Sequence, residues 1–309
     1  MTYLALFLVI LGVIFAVPIW LENRLRPVDE IYREKAPGTF AKLSQGVTHY
    51  RWHGSARGPV LVAIHGLTTP SLVWETLAED FGRLGYRVLT YDLYGRGFSD
   101  APKGVQDADF FTRQLDDLLA HLNIEGNISV MGYSMGGSIA GTFAAANTHR
   151  VDRTFLIASA GFETVETEFD SFCRRNTLIG DWVHDAFAAR RLRRDLLADD
   201  APSDVPGLKE AQLAELSRQG FIRAVLSSRR GMLSQSLEGA MKTLAAYDLP
   251  VFAIWGDSDP VIPIRSVEML RKWNPKASQK VIANADHALP YSHGDFVSDA
   301  FETMLADES

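Results

Sequence analysis

A single cysteine, Cys173, stands among 309 residues, so no disulfide closes within one chain and no thiolate cluster is available to zinc or an iron–sulfur centre. Excess positive charge is missing as well. The formal net charge of -7 argues against nucleic acid as a partner, because that affinity comes from neutralising many phosphates with Lys and Arg. No fixed-period repeat and no low-complexity tract occurs, which removes solenoid and fibrous readings. With 47% hydrophobic and 22% charged residues, the composition fits neither a disordered chain nor a multi-span membrane protein. The length suits one large domain with insertions.

Charge is also absent from one particular place. Between Thr2 and Trp20 the run TYLALFLVILGVIFAVPIW carries no ionisable Asp, Glu, Lys or Arg, and it is close to the length a helix needs to cross a bilayer. Residues 1–21 are therefore expected to form a transmembrane anchor. Tyr3 and Trp20 sit at its ends, where amphipathic rings favour the headgroup level, and Pro18 falls near the exit. A cleaved signal peptide is the competing reading, but the run lacks a basic leading region and a small-x-small cleavage site. Arg24, Arg26, Arg33 and Lys35 follow the span, so the positive-inside rule places the body in the cytoplasm. Residues 22–39 read as a polar linker, and 40–309 as the folded domain.

In that domain short apolar runs alternate with helical patterns, as in a mostly parallel α/β sheet with crossover helices. Strands are expected at 47–54, towards the sheet edge, and at 59–66, in its centre, then at 86–95, 127–134, 153–160, 250–257 and 278–287. The alternation breaks between about Phe162 and Ala246, where helical patterns imply an inserted cap.

The most informative local pattern is Gly132-Tyr133-Ser134-Met135-Gly136, lying between the apolar strand NISVM and the small-residue helical run GGSIAGTFAAA. A serine on so sharp a strand-to-helix turn projects its hydroxyl above the sheet, and glycines two positions either side remove clashing Cβ atoms. Ser134 is thus the expected nucleophile. An oxyanion needs two preorganised donors. The residue after the nucleophile supplies one, the Met135 N–H, and the loop His65-Gly66-Leu67 after the central strand supplies the other, the Leu67 N–H. His65 reads as a residue that shapes this loop rather than as a base. A base held by a carboxylate completes such a site. His287 follows KVIANAD, with His293 competing, and either Asp257 or Asp259 in GDSDPVIP could orient it; spacing alone leaves the two aspartates open.

HGL at 65–67, YDLYGRGFSD at 91–100, GYSMGG at 132–137, WGDSDPVIP at 255–263 and ADH at 285–287 together resemble the α/β-hydrolase superfamily, within it the capped monoacylglycerol lipase and carboxylesterase-like branch. The resemblance runs from about Val47 to Leu305. It implies an α/β-hydrolase fold, a mostly parallel central sheet flanked by helices with a helical cap insertion. It selects Asp259 over Asp257 as the acid, and implies a serine esterase or lipase that needs neither metal nor organic cofactor. Related dehalogenases and epoxide hydrolases carry an Asp nucleophile where this chain has Ser134, so they are set aside. Cofactor-free perhydrolases and carbon–carbon bond hydrolases are similar serine-containing members that GYSMGG does not exclude, and they stay as alternatives, as does a membrane-tethered binding protein without catalysis. One departure is Asp286, where relatives often have Gly before the catalytic His, so the geometry of that loop is expected to differ.

Six arginines of the cap, Arg174, Arg175, Arg190, Arg191, Arg193 and Arg194, alternate with apolar residues. They are expected to be solvated or paired with Asp181, Asp185 and Asp195, with contact to anionic lipid as the second reading. Together with the anchor they make an acyl-chain ester or lipid the expected substrate.

Overall fold

The computed structural model describes residues 2–308; Met1 and Ser309, the outer ends of the expected anchor and domain, lie outside the described residues. Eight strands form one sheet: β1 (Thr39–Lys42), β2 (Val47–Gly54), β3 (Val60–Ile64), β4 (Arg87–Tyr91), β5 (Ile128–Tyr133), β6 (Val151–Ile157), β7 (Val251–Gly256) and β8 (Ser278–Ile282). Their order is β1-β2-β4-β3-β5-β6-β7-β8. Only the β1–β2 and β2–β4 pairings are antiparallel. β1 was not expected: it has four residues, of which only Ala41 is buried, and so leaves no periodic signal in the sequence. It takes the edge and moves β2 one place inward.

Period-two alternation sorts the central side chains onto two faces. Val62 and Ile64 of β3 face a core completed by Phe111, Leu115, Ile139 and Phe143, which come from the helices Ala108–His121 and Met135–Ala146. Leu61 and Ala63 face the opposite core, with Trp74, Phe81, Phe155 and Phe301. The helices Glu75–Arg83 and Gly294–Glu308 cover that second face. Met241 and Leu244 of the helix Glu238–Ala246 join the first core, so this helix is a layer helix of the body; the inserted helices end before it. The insertion consists of Glu168–Arg175, Ile179–Ala198, Leu208–Glu215 and Phe221–Arg230.

The apolar N-terminal segment is a single helix, Thr2–Glu22, long and apolar enough to cross a membrane by length and composition. Pro18 lies inside it and has no N–H to donate to the Ile14 carbonyl one turn earlier. Trp182 of the cap fills that vacancy: its Nε1–H donates to Ile14 O at 2.9 Å. At the other end Glu22 accepts the Gly220 N–H, and Arg26 exchanges backbone hydrogen bonds with Ser217 and Gln219. Residues 22–39 are therefore not a bare polar tether. They hold a short helix, Glu30–Arg33, and an ion pair from Arg33 to Asp100 on the sheet side.

Candidate active site

The carboxyl ends of β3, β5, β6, β7 and β8 reach the same edge of the sheet, with Ile64 opposite Gly132 and Gly132 opposite Leu156. In open α/β sheets this edge is where ligands bind. Ser134 sits just beyond β5 at φ 54° and ψ −119°, a backbone conformation that L residues adopt only when their surroundings enforce it. The enforcement is visible. Its N–H donates to Ile157 O, and its carbonyl accepts from the Gly137 and Ala160 N–H groups, all at 3.0 Å. Gly136 lets the turn pass under β3: a Cβ there would lie 1.9 Å from Ile64 O and 2.6 Å from His65 O. Both obstacles are backbone. Gly136→Ala is accordingly expected to cost about 3 kcal/mol or more, read as a lowered denaturant midpoint.

Three side chains from three separate loops meet at this turn. His287 Nε2 lies 3.0 Å from Ser134 Oγ, and its Nδ1 lies 2.7 Å from Asp259 Oδ2. The other carboxylate oxygen of Asp259 accepts the N–H groups of Val261 and Ile262 at 2.7 and 2.8 Å, which fixes the side chain, and it is almost wholly buried. Because an ionised carboxylate only accepts, the imidazole proton belongs on Nδ1, leaving Nε2 as acceptor for the serine hydroxyl. Tyr133 steadies the histidine loop from below by donating its hydroxyl to His287 O at 2.8 Å.

The competing residues stand elsewhere. Asp257 is exposed and accepts from Ser258 Oγ and the Asn284 N–H. His293 Nδ1 pairs with its neighbour Ser292. Asp286, the departure noted above, accepts the Ala288 N–H at 2.8 Å and so closes the turn that carries His287. His287 lies five residues past the end of β8, which is shorter than the sequence suggests because Asn284 and the residues around it turn, Asn284 at positive φ.

His65 is fully buried and bonded on both ring nitrogens. Nε2 accepts the Leu93 N–H at 2.9 Å, so Nδ1 carries the proton and donates to Gly66 O at 2.8 Å. Burial pushes its pKa down to about 4, and it stays neutral. The peptide it holds is the one whose N–H belongs to Leu67. Met135 is the first residue of its helix, so its N–H has no acceptor within that helix.

Sequence reasoning gave no role to Arg96, although it lies within YDLYGRGFSD. Its guanidinium is fully buried and donates to Leu67 O at 3.0 Å, Tyr94 O at 2.9 Å, Gln106 Oε1 at 2.6 Å and Ser228 Oγ at 2.9 Å. It thus ties the Leu67 loop to the cap helix Phe221–Arg230. Glu215 makes a second tie, accepting the Gly97 N–H at 3.0 Å. Burial, only partly offset by Arg218, raises the Glu215 pKa from 4.5 to about 7. Between those values the folded protein keeps a proton that the unfolded chain has released, so this group's contribution to stability falls as pH rises through the window. Glu215→Gln is expected to remove that slope: its stability relative to wild type should climb between pH 4.5 and pH 7, then level off. Denaturant midpoints across that range test it.

Ser134, His287 and Leu67 open into a cavity of about 430 Å3 beneath the cap. Leu192, Leu196, Leu216, Phe221, Val261 and Ile262 give it apolar walls, while Asp170, Gln212 and Arg229 lie at its polar side. Among the described residues no cluster suited to a metal ion occurs.

Sheet order, strand-to-helix serine turn and capped cavity together define an α/β hydrolase. The family model described as alpha/beta hydrolase fold matches residues 59–293, and the chain belongs to that family. Among curated proteins it is similar to Lipase 1 of Psychrobacter immobilis, 25% identical over 244 residues that cover 77% of this chain and 74% of the lipase. It is also similar to the 2-hydroxymuconate semialdehyde hydrolase of Pseudomonas sp. (strain CF600), 28% identical over 269 residues, covering 80% of this chain and 90% of that enzyme. Among solved structures, a membrane phospholipase A described as a bacterial virulence factor superposes with a TM-score of 0.70 at 22% identity, covering 99% of both chains.

Proposed function

We propose that the protein is a membrane-anchored serine esterase acting on acyl-chain or lipid-like carboxylic esters. Ser134 attacks the ester carbonyl, His287 takes the hydroxyl proton and returns it to the leaving alcohol, and Asp259 holds the imidazole in its reactive tautomer. The N–H groups of Leu67 and Met135 receive the developing oxyanion. Water, activated by His287, then releases the acid and restores Ser134. The observation that carries this reading is the unbroken line from Asp259 through His287 to Ser134, with contacts of 2.7 and 3.0 Å.

The apolar cavity walls and the lipase relative support an acyl chain as the part of the substrate lying under the cap. The helix Thr2–Glu22 would span the bilayer, with the catalytic body on the cytoplasmic side by the arginines that follow it. The relative named a semialdehyde hydrolase, and so not for an ester, leaves a second reading in play, a carbon–carbon bond hydrolase of the same fold in which the same serine attacks a ketone. p-Nitrophenyl esters of increasing acyl length, given to the full chain in detergent, separate the two. A rate that rises with chain length supports the lipid esterase, and no turnover at any length overturns it.

A further inference from the structure

On the outer side of the cap, large apolar side chains are left uncovered by the rest of the protein. Leu178 is 79% exposed, Ile179 62% and Phe187 47%. Trp182 lies among them, its ring centre 6.1 Å from that of Phe187. This patch comprises Leu178, which caps the helix Ile179–Ala198, and the first half of that helix, whose Trp182 bonds to the N-terminal helix. The second half carries Arg190 and Arg193, exposed and, among the described residues, without a carboxylate partner. Asp181 and Asp185 are taken instead by Arg230 and Arg223. Exposed apolar side chains thus mark the start of the helix, with Asp181 and Asp185 turned to arginines of the neighbouring cap helix, and exposed arginines follow before the helix ends at Leu197 and Ala198.

Its depth relative to the N-terminal helix follows from one hydrogen bond. Ile14 lies six residues before Trp20 and eight before Glu22, which is about 9 and 12 Å along a helix. If Trp20 marks the headgroup level, Ile14 lies within the hydrocarbon. Its carbonyl is the one that Pro18 leaves without a donor, and in hydrocarbon such a carbonyl must find a partner inside the protein. Trp182 Nε1 is that partner. The indole therefore has to be at the depth of Ile14, and Leu178 and Ile179, one turn away, go with it.

We propose that the start of this cap helix is a second membrane contact, inserted beside the span into the leaflet nearest the body, with Leu178, Ile179, Trp182 and Phe187 among acyl chains and Arg190 and Arg193 at anionic phosphates. The inference rests on reading Thr2–Glu22 as a membrane span. It gives the cap a fixed seat on lipid, on the element whose Leu192 and Leu196 line the cavity over Ser134.

The test uses the full chain in vesicles of phosphatidylglycerol and phosphatidylethanolamine. Cys173 is buried, so nitroxide labels go to Leu178→Cys, Val9→Cys and Phe296→Cys in turn, with unsubstituted protein giving the background. Collision with oxygen, which concentrates in lipid, is compared with collision with a water-soluble nickel chelate. The 178 label should match the 9 label, oxygen-accessible and several-fold less open to nickel than the 296 label. If 178 behaves like 296 while 9 stays in lipid, the span holds and the cap contact is overturned. If 9 is itself open to nickel, the span reading falls and the cap contact with it. A 178 label shielded from both reagents and broadened by a second nitroxide would show another copy covering the patch, which also overturns the proposal.

Discussion

Ser134→Ala is expected to lower ester turnover by about 10^6-fold while leaving the thermal midpoint where it is. The alanine keeps the backbone turn, because the positive φ of Ser134 is imposed by the Ile157, Gly137 and Ala160 hydrogen bonds and not by its hydroxyl. What it loses is the oxygen that lies 3.0 Å from His287 Nε2, and with it the acyl-enzyme. Whatever rate survives would come from binding and from the Leu67 and Met135 donors acting on free water. A fluorophosphonate should mark wild type on the peptide containing Ser134 and leave the variant unmarked. Turnover in Ser134→Ala close to wild type would mean that another group performs the attack.

The second large effect is expected at Asp259. Asp259→Asn should cost about 10^4-fold in kcat, and Asp257→Asn should leave activity close to wild type. The reason lies in the two N–H groups of Val261 and Ile262, both of which point at Oδ1. An asparagine keeps its oxygen there, because only the oxygen accepts, and so turns its NH2 towards His287 Nδ1. The ring must then accept at Nδ1 and carry its proton on Nε2, where it faces the Ser134 hydroxyl and cannot take its proton. Steady-state kinetics beside a thermal melt checks this: kcat falls while the midpoint stays. Equal losses in the two variants would remove Asp259 from its proposed role.

Much of this site could be read from residue order because its demands are local. A serine flanked by glycines two positions away leaves one way to turn from strand to helix, and the Cβ positions excluded at Gly132 and Gly136 show the cause. The central strands were legible for a similar reason, being apolar almost throughout and buried on both faces. The choice between Asp257 and Asp259 was not local. Both follow β7 and spacing leaves them even; the family resemblance points to Asp259, and the loop geometry gives the physical difference, turning that carboxylate inward beneath Val261 and Ile262 while Asp257 stays exposed. β1 escaped notice because four residues with one buried side chain carry no period. The ordered path of residues 22–39 escaped because its partners, Ser217, Gln219 and Gly220, lie nearly two hundred positions away. Arg96 was hidden by its charge, since an arginine reads as a surface residue until the five acceptors that surround it are seen.

That buried guanidinium also limits how the protein can be rebuilt. The cap looks like a cassette, bounded by the ends of β6 and the helix Glu238–Ala246, and exchanging it for the cap of a relative is an obvious route to new substrate preference. Yet Ser228 and Ala224, two of the groups that receive Arg96, travel with the cap, whereas Leu67, Tyr94 and Gln106 stay behind. A graft that does not restore a hydroxyl at position 228 would strand a charged donor in the interior and loosen the Leu67 peptide together with the new roof. Cap and loop are joined as one part, and a designer has to transplant both sides of the joint.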